Sequence, residues 1–149
     1  MDYEKYKAAV EAIKKKNAEH IKRYRKWLEE KKLTATTIKR HISNVEFYIN
    51  EYLNYYDAQE AKAGCYCIDG YLGNFFIRKA MWSSCAQIKA NGASIKKFYA
   101  SMLEIGEIEE EDYRNLCDEI KEGMEEWIKK MRRHDEMLGE IDMFEDLLD

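Results

Sequence analysis

Apolar residues in this chain recur three and four positions apart almost from end to end, and no stretch longer than a few residues alternates with period two. Such spacing lines side chains along one face of an α-helix, whereas a half-buried strand requires alternation. Proline is absent and glycine occurs only seven times, so little in the sequence interrupts a helix. The expected fold class is therefore all-α: a compact bundle of about five helices, with a long N-terminal helix and an acidic helical appendage at the C-terminal end. With 149 residues, 46 % of them hydrophobic, the chain is long enough to build a real core. Residues 1–134 are expected to form a single domain and residues 135–149 an acidic amphipathic tail.

The clearest element starts at Thr34. Its hydroxyl is suited to accept a free backbone N–H of a first helical turn. Ile38, Ile42, Val45, Ile49 and Tyr52 then follow at helical spacing, predicting a helix from Thr34 to about Tyr55. Lys39, Arg40 and Ser43 fall off that stripe and face water or a partner.

A long helix is expected before it, over residues 3 to about 31. Tyr3, Tyr6, Val10, Ile13, Asn17, His20, Tyr24 and Trp27 carry its stripe, which weakens at Asn17 and His20. That weakening predicts two halves. The second packs into the core; the first projects or pairs with another chain as a short coiled coil. A third helix is expected over Ile68–Lys79, with Ile68, Leu72, Phe75 and Phe76 inward. A fourth opens at Ser84, where Ser84 and Gln87 fit a capping box, and carries Ile88, Gly92, Ile95, Tyr99 and Met102. Gly92 predicts a close helix crossing, and Gly106 a C-terminal stop. The fifth is expected from about Glu109 to Arg133, its acidic start and basic end matching the helix dipole. Leu138, Ile141, Phe144 and Leu148 give the tail a helical spacing too, as a docking segment or a frayed helix.

Charge is unevenly distributed. Residues 1–41 hold 13 Lys and Arg against 6 Asp and Glu, a net +7, and residues 104–149 hold 6 against 18, a net −12. A basic first third suits a polyanion and an acidic last third repels one. Two solvated helix faces are the plainer explanation. No run of about 18 apolar residues suggests a membrane span, and Met1-Asp2-Tyr3-Glu4-Lys5 does not resemble a signal peptide, so a cytoplasmic protein is expected. Cys65, Cys67, Cys85 and Cys117 lack the paired spacing of a zinc site and are expected to be reduced thiols. His20, His41 and His134 are scattered. No glycine-rich phosphate loop, Gly-x-Ser-x-Gly or His-Glu-x-x-His occurs. Neither an enzyme nor a cofactor is expected.

The run Tyr24-x-x-Trp27-Leu28-Glu29-Glu30-Lys31-Lys32-Leu33, followed by Thr34-x-x-Thr37-Ile38-x-x-His41, resembles the N-terminal core-binding domain of tyrosine recombinases and phage integrases, a SAM-like helical domain. Tyr71-Leu72-x-x-Phe75, then a helix opened by Ser84 and carrying Ile95, Phe98, Tyr99 and Leu103, is similar to the later part of that pattern. The resemblance spans about residues 18–106. It implies a helical domain that clamps duplex DNA through its second and fourth helices. Carried over by position, the contacting residues are Thr36, Lys39, Arg40 and Ser43 on the second helix and Lys89, Lys96 and Lys97 on the fourth, flanked by Arg25 and Lys32. Of these, Arg40 is the one suited to reading a base, because a guanidinium pairs with guanine at two points.

The resemblance does not extend to catalysis. Recombinases cut DNA with a tyrosine, arginines, a lysine and histidines of a separate domain. The 43 residues after Gly106 contain no His-x-x-Arg, and their one tyrosine, Tyr113, falls on a core-facing stripe. Taken singly, each residue reads better as ordinary: Lys39, Lys89, Lys96 and Lys97 as solvated surface lysines and Thr36 as a helix-start residue; it is together, with the basic first third, that they point to DNA. Two functions follow as expectations: a non-catalytic DNA-binding protein, whose acidic tail could fold over the basic face; or a protein-interaction module, a homodimer or helical pair, that has lost DNA binding.

Overall fold

The computed structural model describes residues 2–148, and every regular element among them is helical. Helix α1 spans Tyr3–Glu30 and α2 spans Ala35–Glu46, the latter running on through a π-helical turn, Phe47–Tyr52. A 3₁₀ turn, Ala61–Tyr66, leads into a third rod built from α3 (Ile68–Gly70), a π-helical turn (Tyr71–Phe75) and α4 (Phe76–Lys79). Helices α5 (Cys85–Glu104) and α6 (Glu110–Leu148) complete the bundle. No helix among the described residues is long and apolar enough to cross a membrane.

The local signals at helix ends act as their chemistry requires. Thr34 Oγ1 accepts the Thr37 amide at 3.3 Å, and Ser84 Oγ accepts the Gln87 amide at 3.0 Å. At the end of α5, the Gly106 amide donates to the Leu103 carbonyl and the Glu107 amide to that of Met102. This double closure needs a left-handed residue, and Gly106 supplies it with φ +78°. Lys32 takes the same role after α1 but has a side chain, and its φ is 62°. A Cβ in that region is strained by about 1 kcal/mol. Lys32→Gly is therefore expected to raise stability by about 0.5–1 kcal/mol in urea unfolding; a loss of stability would show that the Lys32 side chain makes a contact that outweighs the strain.

Helix α1 departs from expectation, being continuous and packed from Ile13 onward. Ile13, Asn17, His20, Tyr24 and Leu28 are all buried. Asn17 breaks the apolar stripe because of what faces it. In the π-helical turn of Phe47–Tyr52, the Leu53 amide reaches back five residues to the Tyr48 carbonyl. The Ile49 carbonyl thus loses its ordinary partner. Asn17 donates to it at 3.2 Å and Asn54 at 3.3 Å, and Asn17 also donates to Asn50 Oδ1 at 2.8 Å. A buried carbonyl without a donor is costly, so the polar residue stabilises the joint. Tyr6 ties the first turns of α1 down by donating to the Asn54 carbonyl.

Buried tyrosines fasten the 3₁₀ turn. Tyr48 donates to the Gly64 carbonyl and Tyr99 to that of Ala61, each at 2.5 Å. Trp127 of α6 closes the other side of the core, fully buried against Gly73 and Gly123. The crossing foreseen at Gly92 is present: a Cβ there would stand 3.3 Å from Met124 of α6.

The C-terminal third also differs from expectation. Helix α6 passes through residue 134 without a break. Lys129 and Arg133 lie inside it, pairing with Glu125 at 3.5 Å and Glu126 at 3.2 Å instead of capping its end. Gly139 alone, with no proline, does not stop it. Residues 135–148 extend from the bundle as bare helix, every one of them exposed.

Candidate nucleic-acid interface

Helices α2 and α5 pack side by side, and the centre of their seam is Ser94. Its hydroxyl lies 2.7 Å from His41 Nδ1 and accepts from Asn44 Nδ2 at 3.0 Å, while its carbonyl accepts the buried Tyr24 hydroxyl at 3.1 Å. Ser94 was not legible as a site residue: one small polar group on an otherwise apolar face carries little signal. His41 is held below its usual pKa, chiefly by burial and then by the nearby charges of Lys97 and Arg40. It is therefore a neutral hydrogen-bonding group at physiological pH rather than a cation for phosphate.

Those two charges locate the candidate face. Arg40 of α2 and Lys97 of α5, one from each helix, both lie near enough to that imidazole to disfavour its charged form. Thr36, Lys39, Arg40 and Ser43 are exposed on α2 at helical spacing, opposite the buried Ile38, Ile42 and Val45. On α5, Lys89, Lys96 and Lys97 are exposed while Ile88, Ile95, Phe98 and Tyr99 are buried. Arg25 is exposed on α1, and Lys32 is exposed just past its end. Among the described residues, none of these seven cations has a carboxylate within ion-pairing distance, whereas Lys16 and Arg23 of α1 are paired with Glu60 and Glu107. Of the seven, Arg40 and Lys97 are the two whose charges reach the His41 imidazole at the seam.

Ser43 stands differently. It borders a cleft of about 370 Å³ that also contains Asn44, Glu46, Phe47, Asn50, Glu51, Trp82 and Asn91. Two carboxylates in that cleft bound the cationic face and make Ser43 the least favourable of the nine for a phosphate. Trp82, half-exposed on the α4–α5 connection and packed edge-on to Phe47, had no periodic signal to place it. The acidic tail covers none of the nine residues, since it continues outward along α6 rather than folding back.

Burial pushes the Cys65 thiol up to about 12 and raises that of Cys67, so neither is a ready nucleophile. All four cysteines are free. No group of three or more His, Cys, Asp or Glu side chains among the described residues is placed to hold a metal ion. Compared with models of protein families, with curated protein sequences and with solved structures, the chain matches none.

Proposed function

We propose that this chain is a non-catalytic module that binds the backbone of duplex DNA through the α2–α5 face, in the manner of the integrase core-binding domains that its sequence resembles. The observation that supports this reading is that both helices of one seam present exposed cations, Arg40 and Lys97 nearest its His41, with no carboxylate within ion-pairing distance of them. Lysine and arginine neutralise phosphates and release condensed counterions. Thr36, at the start of α2, is suited to hydrogen-bond a phosphate and set the register of that helix on the duplex. Lys39, Lys89 and Lys96, exposed on the same two helices, add to the charge, and the resemblance adds Arg25 and Lys32 as flanking contacts. Tyr113, the one tyrosine of α6, has its hydroxyl pushed up to about 12 by burial and by its bond to Cys117.

The test is fluorescence anisotropy with mixed-sequence duplex DNA over a range of salt. Affinity is expected to fall linearly on a log–log plot, by about 0.9 for each phosphate neutralised. Replacing both Arg40 and Lys97 with alanine should weaken binding and flatten that slope by about 2. Both side chains are exposed, so the circular-dichroism spectrum of the variant is expected to match that of the parent. An unchanged slope, or no binding at the lowest salt, would sink this reading. One observation favours a protein-interaction role instead: seven large apolar side chains stand exposed between Met137 and Leu148.

A further inference from the structure

The projecting end of α6 is an unusual object to leave in water. Residues 135–148 contain six Asp and Glu and no Lys or Arg, so no ion pair within the segment supports the helix. An isolated helix of this length is marginal by itself. Met137, Ile141, Phe144 and Leu148 are spaced four, three and four apart, an apolar stripe of the kind that pairs with another surface. Met137, Phe144 and Leu148 are 56 %, 62 % and 71 % exposed.

Two tails do not suit each other. Glu140 and Glu145 flank the stripe, and in a parallel pair Glu140 of one copy would face Glu145 of the other, twice over. The complementary surface must offer aromatic or apolar faces with basic groups beside them, and the same chain carries one. Tyr3, Tyr6, Tyr55, Tyr56 and Asp57 line an open groove of about 460 Å³. Lys7 Nζ lies 5.9 Å from the Tyr3 ring centre, and Lys79 Nζ lies 5.7 Å from that of Tyr55. The tyrosine rings offer apolar surface to the tail, and Lys7 and Lys79, two cations against the single acid Asp57 of the groove, offer positive charge to its carboxylates.

The placement of the two surfaces favours a closed pair. The root of the tail, at His134 and Met137, lies beside Asn74, Ile77 and Arg78. The groove borders the same short rod, through Phe75 against Tyr55 at 5.1 Å and through Lys79. Tail and groove therefore sit on two sides of α4. A two-fold axis near α4 lets each copy lay its tail on the other, so the contact closes rather than propagating into a filament. We infer that the occupant of this groove is the acidic tail of a second copy, and that the chain forms a reciprocal dimer in which each α6 end crosses onto the partner's tyrosine groove. This dimer is independent of DNA binding.

Sedimentation velocity on the full chain at neutral pH tests it. A dimer is expected in the micromolar range, shifting toward monomer as salt is raised. Phe144→Ser and Tyr56→Ala, both at exposed positions, should each abolish the dimer and leave the circular-dichroism spectrum unchanged. Mixing the two variants should restore part of it, because one intact tail then meets one intact groove. A monomer throughout would overturn the proposal, as would a dimer indifferent to Tyr56→Ala. So would a dimer that strengthens as the pH is lowered into the carboxylate range, which would mean tail-to-tail pairing.

Discussion

Replacing Trp127 with alanine is expected to lower folding stability by about 3–5 kcal/mol. The ring is 1 % exposed and lies against both Gly73 and Gly123. A Cβ on Gly73 would stand 2.7 Å from its Cδ1, so the indole is fitted to backbone on two helices at once. Neither backbone can collapse into the space left behind, which places the loss toward the upper end of the range. A domain of ordinary stability holds about 5–15 kcal/mol in all, so much of the population would unfold on mild warming. Trp127→Phe separates packing from hydrogen bonding. It keeps most of the ring but removes the indole N–H that Asp69 Oδ1 accepts at 2.7 Å. Asp69 is exposed and water can replace that donor, so the phenylalanine variant should lose much less than the alanine variant. Urea midpoints of the two proteins check this, and equal losses would mean that the hydrogen bond, not the packing, holds α6 in place.

Gly64→Ala is the second large effect. The backbone there has no positive φ, so the strain is steric. The new methyl would overlap the Tyr99 hydroxyl and stand 2.8 Å from Tyr48 Cε2. Both tyrosines are completely buried and pinned through their hydroxyls to Ala61 and Gly64. Overpacking of this kind costs about 1–3 kcal/mol, and each hydrogen bond given up adds about 1 kcal/mol. A total near 3 kcal/mol is expected in chemical denaturation. Tyr99→Phe removes the overlapping atom, so the double variant should be more stable than the sum of the two single losses predicts. Simple additivity in that cycle would rule out the clash as the cause.

Helix existence was legible in the residues because its causes lie within a few positions of one another. The Thr34 and Ser84 caps, the Gly106 stop, the Ile38–Ile42–Val45 stripe and the Ile88–Ile95–Met102 stripe depend on spacing and local hydrogen bonding. So did the exposure of Lys39, Arg40, Lys96 and Lys97, which follows from the opposite faces of those helices. The bounds of the last helix were harder to read. Lys129, Lys130, Arg132 and Arg133 looked like a basic end to α6, but opposite charge one or two turns away, as at Glu125 and Glu126, also suits a helix interior.

What escaped the sequence depends on partners far along the chain. Asn17 reads as a flaw in the α1 stripe until the freed Ile49 carbonyl, 32 residues later, stands opposite it. Tyr48 falls on the core face three residues after Val45, but the partner of its hydroxyl, the Gly64 carbonyl, lies 16 residues further on. Ser94 becomes the hub of the candidate interface only when His41 and Asn44 reach it from another helix. The sequence alone determined which residues form helices and which faces are polar, since periodicity and capping are local physics. Tertiary structure decided which polar faces meet: that Arg40 and Lys97 share one seam, and that the acidic end of α6 stands clear of them. Those outcomes depend on how whole helices pack, and packing is set by the fit of distant side chains rather than by the order of neighbouring ones.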